Sequence, residues 1–125
     1  MPAARDDYLL RMIMQAAAAM RRLREKLMGG ESADEVVRDA GAAIGTLLGP
    51  QRSLLERLDP ASASGIVGNP DTVRAWSSLL LLQSEAEALR GNEAEAARLA
   101  ARARALTPDI DAHRDLHASP DTQSP

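Results

Sequence analysis

The sequence predicts an all-α fold, a small helical bundle of four to five helices, and three observations predict it. The chain has no Phe, a single Trp (Trp76) and a single Tyr (Tyr8), while Ala and Leu abound, so helix formers dominate and the residues strands favour are scarce. Apolar residues recur at helical intervals through most of the chain. Capping residues and Gly or Pro breakers fall between those periodic segments. At 125 residues the expectation is one domain with a modest core.

The first helix is expected over residues 6–28. Leu9, Ile13, Ala16, Met20, Leu23 and Leu27 form one stripe at alternating four- and three-residue steps, and Leu10, Met14 and Ala17 widen it. Asp6 and Asp7 suit the positive end of the helix dipole, Arg21, Arg22, Arg24 and Lys26 suit the negative end, and Gly29-Gly30 stops the helix. Ser32 with Glu35 reads as a capping box opening a second helix, whose apolar face is Val36, Val37, Ala40, Ile44, Leu47 and Leu48 and which Gly49-Pro50 ends. Residues 53–58 predict one or two further turns, and the Ser-, Ala- and Gly-rich residues 59–68 read as a loop, with room for another turn inside it.

Asn69 and Pro70 open the next helix, expected to reach Arg90. Trp76, Leu79, Leu80, Leu82, Ala86 and Leu89 spread over more than one of its faces, which predicts the most buried helix of the bundle. Gly91 breaks the chain, Asn92 and Glu95 form a second capping pair, and the last helix carries Ala96, Leu99, Ala100, Ala103 and Leu106 inward before Pro108. The reading is a single domain of residues 1–108 followed by a polar, disordered tail, 109–125.

Residues 70–107 resemble a tetratricopeptide repeat: Gly91 at the turn, Ala96 and Ala103 at the small packing positions, Leu106 and Pro108 at the close, with Leu80 and Ser84 fitting the first helix. Gln83 and Glu87 depart from it, standing where the repeat prefers an apolar and an aromatic residue. One helical pair cannot bury its own face, so the resemblance implies one repeat-like hairpin within a bundle. The opening Asp7-Tyr8-Leu9-Leu10-Arg11-Met12-Ile13-Met14-Gln15, with Leu47-Leu48-Gly49 and the turn from Gly91 to Ala96, resembles a family of short bacterial proteins, domain of unknown function 6483, over roughly residues 6–107. That resemblance implies an architecture with more helix over residues 59–68, and no activity.

Fourteen of the fifteen basic residues are Arg, with Lys26 the exception, yet the net charge is −3, which gives no global drive toward nucleic acid or anionic membranes. Without Cys there is no disulfide, thiolate nucleophile or Cys-ligated zinc. The apolar run 9–20 is interrupted by Arg11 and Gln15 and is flanked in the wrong order for a secretory signal, so a cytoplasmic protein without a membrane span is expected.

His113 and His117 could share a helical face with Asp109, Asp111 and Asp115 nearby, but they fall in the expected tail and read as solvated polar residues, so no metal and no cofactor is expected. Glu85, Glu87, Glu93 and Glu95 alternate with Arg90 and Arg98 and read as ion pairs on wet faces rather than acid–base pairs. Ser32, Ser53 and Ser77 have no histidine within reach, and no phosphate loop or nucleophile elbow exists, so no enzyme is expected.

What remains is a protein-interaction or scaffold module binding a protein partner or itself through the first helix and the repeat-like hairpin. The candidate partner-binding residues are Tyr8, Arg11, Met12, Arg21, Arg22, Arg24 and Lys26, with the Met-rich stripe suited to adaptable contact. The alternative is a regulatory adaptor whose 21–26 patch contacts nucleic acid or an acidic surface. Against it, no aromatic is interleaved for base stacking, and the basic cluster also serves as an ordinary solvated helix end. Trp76 reads as core, whereas Tyr8 is open to either partner contact or core packing.

Overall fold

Side-chain caps open three of the helices, at Ser32, Asp59 and Asn69. In the computed structural model, which describes residues 2–30 and 32–110, six α-helices are present among the described residues. They are α1 (Pro2–Met28), α2 (Ala33–Leu48), α3 (Arg52–Arg57), α4 (Pro60–Val67), α5 (Pro70–Leu89) and α6 (Glu93–Leu106), with a 3-10 turn, Gly49–Gln51, joining α2 to α3. No strand occurs among those residues, as the composition predicts.

The starts show which side chains cap and which do not. Ser32 Oγ accepts the Glu35 amide at 3.4 Å, but the Glu35 carboxylate does not complete the reciprocal box; Lys26 Nζ donates to it at 2.6 Å. Asn69 Oδ1 accepts the amides of Asp71 and Thr72 at 2.9 and 3.1 Å, with Pro70 in the first turn. Asn92 does not cap α6: its side chain turns back and donates to Glu87 Oε1 at 2.9 Å. Gly91, at φ 87°, makes the tight reversal there. Helix α1 starts earlier than expected, at Pro2, so Asp6 and Asp7 fall in its second turn, beyond the strongest reach of the dipole.

The segment 59–68 corrects the sequence reading: Pro60–Val67 is a helix. Asp59 caps it, accepting the Ser62 amide at 3.0 Å and the Ser62 hydroxyl at 2.6 Å, and Ala63 is wholly buried beneath it. Residues that populate loops here serve as a cap and as small packing faces, and contact with α5 and α6 supplies what propensity lacks.

Twelve residues of α5 are buried, more than in any other helix of the described chain, because α1, α2, α4 and α6 all pack against it. Ser77 in its first half shares a 2.7 Å hydrogen bond with Thr107, and Ser84 in its second half donates to Ala96 O at 2.6 Å, so α5 and α6 run antiparallel as a hairpin. Trp76 is 0% exposed among Leu79, Leu82, Ile44, Leu55 and Val36, where the sequence reading put it. Ile110, two residues past the expected domain end, is 1% exposed and belongs to the same core. His113, His117 and the rest of the expected tail from residue 111 lie outside the described residues.

Two outcomes follow for stability. Trp76→Ala lowers unfolding free energy by about 3–5 kcal/mol, the usual cost of emptying a large aromatic site. Asn69→Ala costs about 1 kcal/mol through loss of its cap. Urea denaturation followed by far-ultraviolet circular dichroism checks both.

Candidate functional site

On a helix, residues one apart are turned by about 100°, so α1 carries two parallel stripes rather than one broad one. The first meets the bundle: Ala16, Ala19 and Leu23 are buried, and Met20 and Leu27 pack against the core. The second runs through Leu10, Met14, Ala17, Arg21, Arg24 and Met28. Leu10, Met14 and Met28 are 56%, 62% and 83% exposed. Leu10 and Met14, expected to widen the inward face, therefore form an outward ridge about 27 Å long between Leu10 and Met28.

The expected partner-binding residues do not gather into one patch. Tyr8, Arg11, Arg21 and Arg22 are exposed, Arg24 is half-buried, and Met12 packs partly against the core. Tyr8 is not a core residue. Lys26 is drawn into the bundle's own contacts, bonded to Glu35 at 2.6 Å and Asp39 at 3.4 Å across the α1–α2 junction. The hydrogen bond with Glu35, ahead of that with Asp39, holds its ammonium above the ordinary lysine range, so the lysine side of this clamp is charged at neutral pH and its contribution is lost as pH rises through that raised value. Between α1 and α2 lies an open cleft of about 490 Å³ with Met12, Ala19, Leu23, Ala43 and Leu47 in its walls.

A second, polar cleft of about 330 Å³ lies where α2 and α3 meet α5 and α6, and the sequence reading did not anticipate it. Arg102 Nη1 and Nη2 donate to the carbonyls of Leu58 and Leu55 at 3.1 and 2.8 Å, and its guanidinium lies 5.3 Å from the Trp76 ring centroid. Arg52 donates to Gly41 O at 2.8 Å and pairs with Glu56 at 3.1 Å. Gly45 gives it room, since a Cβ there would sit 2.9 Å from Arg52 Nη1. Arg98 holds Glu95 through two bonds of 2.8 Å, which depress that carboxyl below its ordinary range. The three arginines are thus matched to carboxylates or carbonyls already: Arg102 ties α6 to α3, Arg52 ties α3 to α2, and Arg98 pairs within α6.

Glu87 corrects the expectation of wet acidic faces. It is 8% exposed and accepts Arg90 Nη1 at 3.0 Å and Asn92 Nδ2 at 2.9 Å, and Arg90 also reaches Asp34 at 2.6 Å. The hairpin turn is thereby tied to the start of α2. No group of three or more His, Cys, Asp or Glu side chains arranged to hold a metal occurs among the described residues. None of the described helices is long and apolar enough to cross a membrane.

Comparison with known proteins adds no assignment: no family model matches the chain, and no curated protein or solved structure shows significant similarity to it.

Arg102→Leu strands two carbonyls and removes the cation from the indole face, so it destabilises the bundle by about 1–3 kcal/mol and alters Trp76 fluorescence. Arg102→Lys recovers only part of this, because an ammonium cannot reproduce the guanidinium fork.

Proposed function

We propose that this protein is a non-catalytic interaction module that docks on another polypeptide through the outer ridge of α1. The observation that carries the reading is the ridge itself: Leu10, Met14 and Met28 are large apolar side chains exposed along one stripe of the longest helix, with Arg21 and Arg24 on the same stripe between Met14 and Met28. Single exposed apolar residues are ordinary, whereas an exposed apolar pair one turn apart, continued along the same stripe by Ala17, two arginines and Met28, offers one helix face for helix-in-groove or helix-on-helix recognition. Methionine adds a flexible, polarisable contact surface.

The tetratricopeptide-like character of the α5–α6 hairpin belongs to the same proposal, as does the likeness to domain of unknown function 6483. The hairpin contributes as scaffold, since α1, α2 and α4 cover α5. A cytoplasmic location is part of the reading and agrees with a chain that has no cysteine to oxidise. The nucleic-acid alternative is weakened by the engagement of Lys26 with Glu35 and Asp39.

The test is a Leu10→Glu/Met14→Glu variant. Both positions are exposed, so the fold and its circular dichroism are retained, while proteins recovered with the wild-type chain from its native cell extract are lost. Recovery of the same proteins by both chains contradicts the reading.

A further inference from the structure

We propose that the occupant of the ridge is a second copy of this chain, with the two α1 helices packed antiparallel about a two-fold axis between Met14 and Ala17. The inference rests on the ridge reading above and deepens it. Extended by one step toward the N-terminus, the ridge is Asp7, Leu10, Met14, Ala17, Arg21, Arg24 and Met28, alternating three- and four-residue steps, the spacing of a helix–helix seam.

Antiparallel pairing makes that seam self-complementary. Met14 meets Ala17 of the second copy, a large side chain against a small one. Leu10 meets Arg21, whose methylene stem can cover it while the guanidinium reaches water. Asp7 meets Arg24, acid against base, and the two-fold repeats each pair. Asp7, Arg21 and Arg24 make no ion pair with one another or with any other described residue, so their charges are available. A parallel pair would set Asp7 against Asp7 and the two arginines against their own copies, which is repulsive at three levels. Helix α1 packs on α2 and α5 by its other face, leaving this one open.

Sedimentation of the full chain should show a reversible monomer–dimer equilibrium. Asp7→Arg and Arg24→Asp each weaken it by about tenfold, two symmetry-related ion pairs being replaced by repulsion, and the double variant D7R/R24D restores it. Because the chain has no cysteine, engineered thiols report the register directly. A mixture of Leu10→Cys and Arg21→Cys chains forms the mixed disulfide, and Met28→Cys alone does not link to itself.

A dimer indifferent to the charge swap, or one that cross-links through Met28→Cys, overturns the antiparallel arrangement. A chain that stays monomeric at its highest soluble concentration overturns the inference. If L10E/M14E still loses proteins captured from the extract, the ridge reading survives that failure; if it loses nothing, both fall.

Discussion

Everything in this bundle is arranged around the burial of α5. A chain with one Trp and no Phe has little bulk with which to fill a core, so its volume must come from Leu and Ala packed at short interhelical distance. The chain meets that constraint by surrounding one apolar helix with four others rather than by stacking two amphipathic layers. Trp76 supplies the largest single volume, and residues from α2, α3 and the stretch after α6 close around it. Small residues at Ala96 and Ala103 let α6 approach closely.

Wrapping one helix on several sides brings polar groups inward with it, and several of them find partners on their own or neighbouring helices. Ser77 bonds Val73 O and Thr107; Ser84 bonds a carbonyl of α6; Arg102 takes the carbonyls that end the short α3. The Trp76 Nε1–H is an exception, buried without an acceptor, as are the Thr72 hydroxyl and Arg74 Nε. Such an orphan costs free energy of the order of a lost hydrogen bond, about 1–3 kcal/mol, which the burial of the indole outweighs.

The helices were legible because apolar spacing and capping residues agree over most of the chain. Trp76 and the heavy burial of α5 were legible because apolar residues crowd more than one face of that segment. Residues 59–68 misled because Ser, Gly and Ala favour loops on average, while the Asp59-Pro60 start that makes them helical is a local signal two residues long. Two stripes one residue apart on α1 satisfy the same spacing rule, so the pattern could not say that Leu9's stripe goes in and Leu10's goes out. The Arg102–Trp76 contact spans 26 positions and leaves no short-range mark. Glu87 appeared solvated because its burial depends on how Asn92 and Arg90 fold back over the hairpin turn.

The same allocation of apolar surface explains why α1 is left half covered. It lies on α2 and α5 through one stripe, and no other described helix packs on the opposite side. Helix α5 is therefore the stability centre of the bundle, and α1 is a peripheral layer laid over it. Native-state hydrogen exchange of the α5 amides around Trp76–Ala86, compared with those of the first turns of α1, tests that most directly. The prediction is exchange of the α5 amides only through global unfolding, with the start of α1 opening at lower free energy. Equal or faster exchange in α5 would contradict it.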